Sequence, residues 1–342
     1  MTYQALIPQV AAAYGINFDS VGFPQKGYRN ESYKLTLFSG EEINLIIHKS
    51  EPGALQRIES ADRAAAVLDH SHLPVRTRLD KRILKISDGK KEIYAGMYSY
   101  LPGATIPWEA YTKSHIKLLG WAMSDMHAMW RGSGASLPVR VDEEVSSLCE
   151  RMKHYFATPG VQQAMQEKIG LRIEADFIRY QRLFEKLRDS YVSGEHILHM
   201  DLVRGNVLFD HAKSSDIWYI DELSISGVID FEKAAVGHPV FDIARTLAFL
   251  LVDCANKDRR SIFKYFLQSG YNKRGMNSFK QSDTIGGMPA PQVLNKLIGF
   301  FLLHDFYKFL KHTPYESLEN NHHFVRTRDI LIDYGMIRLD KD

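Results

Sequence analysis

The spacing of apolar positions changes character near residue 101. Leu6, Val10 and Ala13 fall on one helical stripe over Tyr3–Tyr14, with Thr2 placed as an N-cap. Tyr33, Leu35 and Leu37 then alternate with Lys34 and Thr36. A Ser39-Gly40 turn leads into a second strand at Ile43–His48, which predicts a hairpin. Helical period returns over Ala54–His70, where Leu55, Ile58, Ala65 and Leu68 share a face and Pro74 lies just past the end. Short strands at Ile83–Ile86 and Glu92–Tyr100 flank an Asp88-Gly89 turn, and Leu101-Pro102-Gly103 breaks the pattern.

Beyond Trp108 the period is mainly helical. Ile116, Leu119, Met123, Met126 and Trp130 keep it, and Asp142–Met165 and Ile173–Val192 read as charged helices. A β-rich island at Ile197–Ile229 interrupts. Helices resume at Phe241–Cys254, Asp258–Leu267, Pro291–Lys311 and Leu318–Tyr334. The predicted class is α+β, with a small β-rich unit over 1–100 and a large helical unit over 101–342.

Composition narrows the function classes. The 342 residues are 45% hydrophobic and 25% charged, ordinary globular usage, and the net charge is +2. Lys81-Arg82, Lys90-Lys91 and Arg259-Arg260 are scattered and accompany no recognition motif, so nucleic acid is not an expected partner. Apolar runs are too short for a membrane helix, and no Lys or Arg precedes Ala11-Ala12-Ala13, so neither membrane nor signal peptide is expected. The two cysteines, Cys149 and Cys254, form no CxxC pair, which favours a reducing, cytoplasmic setting. HExxH and a strand-following GxGxxG are both missing, which removes metalloprotease and dinucleotide readings.

Chemistry concentrates in His199-Met200-Asp201-Leu202-Val203-Arg204-Gly205-Asn206 and in Val228-Ile229-Asp230-Phe231-Glu232. Phosphoryl transfer from a nucleotide needs a carboxylate to orient the attacking hydroxyl and oxygen ligands to hold Mg2+ on the phosphates. A loop carrying Asp and Asn five apart supplies the carboxylate and one ligand. An Asp at the end of an apolar strand supplies the other.

On these residues the chain resembles the aminoglycoside phosphotransferase / choline kinase family. Matching positions are His199, Asp201, Leu202, Gly205 and Asn206, then Gly227–Glu232, then Gly237, Pro239, Asp242 and Ala244. Gly27–Tyr33, Leu101-Pro102-Gly103 and Met126-His127 match more thinly. The resemblance implies a two-lobed protein-kinase-like fold, ATP (or GTP) and Mg2+ as cofactors, and a small-molecule hydroxyl as acceptor. It makes Asp201 the base, Asn206 and Asp230 the metal ligands, and His199, Glu232 and Asp242 supporting residues. Gly27 would lie in the turn covering the phosphates, and adenine would meet the backbone near Ser99, Tyr100 and Leu101.

The chain departs from the family at the nucleotide-anchoring cation. The third-strand position that carries Lys or Arg in the family holds Ile46. Lys49 is the expected replacement, although alternation aims it at the opposite face unless a bulge or strand end turns it inward. Its expected acidic partner is Glu59, ahead of Asp62. A degenerate, nucleotide-binding regulatory module is the rival reading.

The spacing between Asp230 and Asp242 leaves no room for a peptide-positioning activation segment, which favours a small acceptor. The acceptor site is expected between the Asp201 loop and helices at about 142–192 and 258–334. Phe300, Phe301, Phe306 and Tyr307, at helical spacing, are expected in the core. A monomer or homodimer is expected.

Overall fold

The structure, a computed structural model, describes residues 3–27, 30–69, 72–88, 91–189, 196–211, 219–274 and 279–340. The expected N-cap Thr2 lies outside the described residues. So do Tyr28 and Arg29 of the thin match, His70 and Val192 at expected helix ends, Gly89 of the expected turn, and Lys90.

The N-terminal unit is a six-stranded antiparallel sheet: β1 Phe18–Val21, β2 Gln25–Lys26, β3 Asn30–Leu37, β4 Glu42–His48, β5 Leu84–Asp88 and β6 Lys91–Ser99. Its order is β1-β3-β4-β6-β5, with β2 on β3. The first helix, α1 Ile7–Ala13, follows a single 3-10 turn at Tyr3–Leu6. Ile7, Val10 and Tyr14 pack with Tyr33, Leu35, Ile43, Leu45, Ile47, Ile93, Ala95 and Met97 into one core. Because side chains alternate along a strand, this burial places Asn44, Ile46 and His48 of β4 on the other sheet face. That face lines a cleft.

The helix α2 Ala54–Leu68 crosses to the larger core. Ala64, Ala65 and Leu68 cluster there. Trp130 donates its indole N–H to the carbonyl of Ala64 at 3.0 Å, pinning α2 to α3 Lys113–Trp130. Leu55, expected on the buried face of α2, is instead 37% exposed.

The larger unit continues with α4 Val141–Ala157, α5 Pro159–Ile169, β7 Leu171–Ile173 and α6 Phe177–Asp189. One helix was expected over Asp142–Met165. The chain breaks it at Thr158, which is extended and precedes Pro159, a residue without an N–H that opens α5. The expected island resolves into β8 Ile197–Leu198, β9 Val207–His211, β10 Tyr219–Ile220, β11 Leu223–Val228 and β12 Ala235–Val236. Then follow α7 Val240–Asp253, α8 Arg259–Phe263 (extended by a π turn at Lys264–Gln268), α9 Ala290–His312, α10 Tyr315–Leu318 and α11 His322–Asp333. A terminal strand, Ile337–Leu339, pairs with β7 and had no signal in the periodicity. Phe300, Phe301, Phe306 and Tyr307 are buried in the core, as their spacing predicts. Among the described residues no helix is long and apolar enough to cross a membrane.

The two units meet at Leu101-Pro102-Gly103. Ser226 donates its hydroxyl to the carbonyl of Pro102 at 2.7 Å, and Ala104 and Phe209 exchange backbone hydrogen bonds at 2.9 and 3.0 Å. Gly103 sits at φ 102°, and a side chain there would run into Ser226 and Phe209, so the crossing requires glycine.

Candidate active site

Strand pairing brings the two motif segments together. Val207 of β9 pairs with Val228 of β11, so the residues just outside that pair become neighbours. Ile229 donates its backbone N–H to the carbonyl of Asn206 at 2.9 Å. Asn206 and Asp230 thus stand side by side at the wall of a cleft of about 750 Å3, together with Gly22, Gly27, Tyr98, Tyr100 and Leu101.

Asn206 also turns its amide towards Asp201. Its Nδ2 donates to the Asp201 carbonyl at 2.8 Å and to Oδ2 at 3.1 Å. With the NH2 so committed, the Asn206 oxygen is the atom left for a cation. Lys233 holds the other Asp201 oxygen at 2.7 Å. Burial raises the Asp201 carboxyl, but Lys233, with Arg245 and His199, outweighs burial and the net shift is below the ordinary range.

The loop is braced from α7. Asp242 is fully buried and accepts the backbone N–H groups of His199 at 2.8 Å and Met200 at 2.9 Å. Its Oδ2 lies 3.0 Å from His127 Nε2, and His127 Nδ1 lies 2.9 Å from the Tyr271 hydroxyl. A carboxylate at Asp242 requires Nε2–H, so a neutral His127 accepts from Tyr271. Burial raises the Asp242 carboxyl, and the bonds from His127 and the loop amides bring it below its usual value. One turn further along α7, Thr246 donates its hydroxyl to the carbonyl of Leu202 at 3.2 Å. His199 is buried, its Nδ1 accepting from the Asp201 N–H at 3.2 Å, and burial depresses its pKa; it braces the loop.

Two residues of this site have left-handed backbones without being glycine: Met200 at φ 60° and Asp230 at φ 64°. Each costs on the order of 1 kcal/mol or more, sustained by the surrounding hydrogen bonds. Asp230 is open to the cleft but surrounded by protein elsewhere. Burial raises its carboxyl, with help from Glu232 and Asp201, to about 6. Such a carboxyl is poised to gain from a bound cation. The oxygens of Asp230 and Asn206 suit Mg2+, which takes few protein ligands and completes its shell with water and phosphate. Among the described residues no cluster of three or more His, Cys, Asp or Glu forms a metal cage, and such a site does not need one.

Glu232 reaches the small unit. Its Oε1 accepts from Asn30 Nδ2 at 3.2 Å and lies 3.1 Å from His48 Nδ1. Gly27 lines the cleft with Phe23, Gln25 and Asn30, as do Tyr100 and Leu101. Ser99 does not line it; its N–H and hydroxyl oxygen are both taken by Thr77, at 2.8 and 3.0 Å.

Lys49 and Glu59 require correction. The β3–β4 register runs unbroken from Thr36↔Glu42 to Asn30↔His48, so no bulge turns Lys49 inward. Its ammonium donates to the carbonyl of Gly27 at 3.0 Å, and the residue lies off the cleft lining. Glu59 is exposed on α2 and also off the lining. Asp62 is the acid of α2 that faces the cleft, paired with Arg78 at 2.7 Å. Burial raises its carboxyl to about 6 despite Arg78 and His48.

Sequence reasoning did not find Lys233 or Arg76. The cue for Lys233 was its position next to Glu232. Arg76, in the Leu73-Pro74-Val75-Arg76 run after α2, carried no local signal.

A sequence model of the phosphotransferase enzyme family matches residues 21–268, and the chain belongs to that family. No curated protein matches it. Similar solved structures include an amicoumacin kinase in complex with AMP-PNP, Ca2+ and Ami. That likeness has 16% identity and a TM-score of 0.70, over 98% of this chain and 95% of that one. A GDP complex of wild-type aminoglycoside 2'-phosphotransferase-IIIa matches with 12% identity and a TM-score of 0.60, over 96% and 100% of the two chains. A microcompartment-associated aminopropanol kinase matches with 16% identity and a TM-score of 0.57, over 98% and 100%. Likeness at these identities establishes the fold, which is the α+β, two-lobed, kinase-like one. Membership of that family makes the chain a phosphotransferase.

Proposed function

We propose that this protein transfers the γ-phosphoryl group of ATP or GTP, with Mg2+, to a hydroxyl of a small molecule. The observation that carries the reading is the convergence of Asp201, Asn206 and Asp230, through the 2.8 Å bond from Asn206 to the Asp201 loop and the 2.9 Å bond from Ile229 to Asn206. Asp230 and the Asn206 oxygen would hold Mg2+, which neutralises phosphate charge and orients the transferred group.

Asp201 orients the acceptor hydroxyl and receives its proton as the oxygen attacks the γ-phosphorus. The bond to the β–γ bridging oxygen breaks, and a nucleoside diphosphate leaves. Lys233, 2.7 Å from Asp201, keeps the carboxyl ionised at neutral pH and offsets negative charge on the moving phosphoryl group. Asp242 and His199 position the loop and take no part in the proton transfer. The intact three-oxygen arrangement favours an active enzyme over a degenerate nucleotide-binding module.

The acceptor is small. The helix α7 begins at Val240, soon after Asp230, and occupies the chain length that a peptide-binding segment would need. Basic groups gather beside the catalytic loop. Lys233 pairs with Asp201, and Arg245 and Lys308 both reach Asp305, at 3.2 and 3.7 Å. Each of these cations is paired with a carboxylate, and Asp253 adds a further acid beside Arg204, so the charge here is mixed and the acceptor class is an aminoglycoside-like antibiotic, an amino alcohol or a related metabolite. The reading includes a cytoplasmic enzyme, a nucleotide-binding unit at 1–100 and a catalytic and acceptor-binding unit at 101–342.

The test is a nucleotide-consumption screen of purified protein with Mg2+ against antibiotics, amino alcohols, sugars and hydroxy amino acids, repeated with Asp201→Ala. Transfer to at least one acceptor, abolished in the variant with its fold intact, is expected. Undiminished turnover in the variant, or efficient phosphorylation of added protein with no small-molecule turnover, overturns the reading.

A further inference from the structure

A nucleotide triphosphate in this cleft needs positive charge from the small-unit side, and β4, where Ile46 stands, does not provide it. Of the three β4 residues that face the cleft, Asn44 and Ile46 are uncharged and His48 is engaged with Glu232. Lys34 also lines the cleft, but its ammonium is held by Glu42 at 2.7 Å and lies 5.1 Å over the Tyr100 ring. Lys49 is turned to the Gly27 carbonyl, off the lining.

We propose that Arg76 is the phosphate-binding cation of the nucleotide site, taking from a different element the place that Ile46 leaves apolar. The inference rests on the nucleotide reading above and deepens it.

The backbone placement comes first. Val75 forms a parallel bridge with Val228, Arg76 donates its N–H to the Val228 carbonyl at 3.0 Å, and Val228 donates to the Pro74 carbonyl at 2.8 Å. Arg76 is thereby fixed beside the strand that ends in Asp230. Its side chain lines the same cleft as Ile46, Asp62, Tyr98 and Asp230. Its Nε is buried with no hydrogen-bond partner among the described residues.

A buried Nε–H left unpaired beside an open cleft is costly unless an anion completes it. The nearest strong negative influence is Asp230, the residue that a Mg2+ ion would claim. Once Asp230 serves the metal, the planar fork of Arg76 matches phosphate oxygens better than any other group on this wall. Burial lowers the Arg76 pKa to about 10, so the charge persists at neutral pH.

The test separates phosphate recognition from general support of the cleft. Affinities of wild type, Arg76→Ala, Arg76→Lys, Lys49→Ala and the double variant Ile46→Lys/Arg76→Ala are measured for Mg-ATP and for adenosine by calorimetry. Arg76→Ala is expected to weaken Mg-ATP by about ten- to a hundredfold and leave adenosine unchanged, the range of a charge-assisted contact. Arg76→Lys should lie between Arg76→Ala and wild type, Lys49→Ala within about twofold of wild type, and the double variant should regain part of the loss. Unchanged adenosine binding shows that the cleft survives the substitution. Equal loss for Mg-ATP and adenosine, or no loss for either, overturns the role of Arg76 while leaving the proposed activity standing. A wild-type protein that binds neither Mg-ATP nor, in a parallel titration, Mg-GTP overturns both.

Discussion

The two walls of the cleft are built on different principles. On the large-unit wall the candidate groups come from two short motifs joined by strand pairing and braced by one helix. Asn206 and Asp230 lie at adjacent ends of β9 and β11, Asp201 lies in the loop that leads to Asn206, and Asp242 and Thr246 clamp that loop from successive turns of α7. On the small-unit wall the groups come from separate elements: Ile46 from β4, Asp62 from α2, Arg76 from the segment after it, and Asn30 from β3. The first wall is rigid because its backbone amides end on a fully buried carboxylate. The second depends on side chains that meet only in three dimensions, so its charge can move between elements while its shape is kept.

Substitutions on the two walls should therefore fail differently. The largest effect is expected at Asp201→Asn, which removes the proton acceptor but keeps the side-chain shape. The kcat should fall about 10²- to 10⁴-fold while nucleotide affinity stays near that of wild type. A proportional loss of affinity and kcat would place Asp201 in binding instead.

Asp242→Asn comes next, and its effect is on folding. The variant replaces one acceptor oxygen by an NH2 that faces buried donors of His127, His199 and Met200, at a cost of about 2–3 kcal/mol. Denaturant unfolding should show the loss, and a midpoint equal to wild type would refute the clamp.

Smaller again is Glu232→Ala on the second wall. It removes the acceptor for Asn30 and the partner of His48, worth about 1–2 kcal/mol. Steady-state kinetics should register a raised nucleotide KM with kcat changed less; a pure kcat defect would move Glu232 to the chemistry. Smallest is Trp130→Phe, which deletes the indole bond to Ala64 and loosens α2 from the large core by about 1 kcal/mol. An unchanged melting temperature would show that this tie contributes nothing.

The same contrast explains what could be read from the sequence. The β3–β4 hairpin, the α2 helix and the helical large unit follow from alternation and 3.6-residue periodicity, because each buries one face on a core. The candidate site residues Asp201, Asn206 and Asp230 stood out because they sit in compact motifs, and strand pairing places Asn206 beside Asp230. The break at Pro159 was marked by a residue that cannot extend a helix, yet the amphipathic pattern runs through it. The Ile337–Leu339 strand is too short to show a period, and it exists only because β7 offers an edge. Lys49 lies just past the end of β4, where alternation no longer decides its direction, and its ammonium goes to the Gly27 carbonyl. Choosing Glu59 over Asp62 failed for a related reason: the two are three residues apart on α2, and only packing decides which faces the cleft. Arg76 belongs to no motif, and its place beside Asp230 arises from a bridge between residues far apart in the chain.

The central claim is that oxygens from two separated segments act together on a metal-bound nucleotide. The most direct measurement is the affinity for ATP with and without Mg2+, in wild type and in Asp230→Asn. Wild type should bind far more tightly with Mg2+, and the variant should lose that difference while still binding adenosine. An affinity indifferent to Mg2+, or a variant that keeps the full difference, would contradict it.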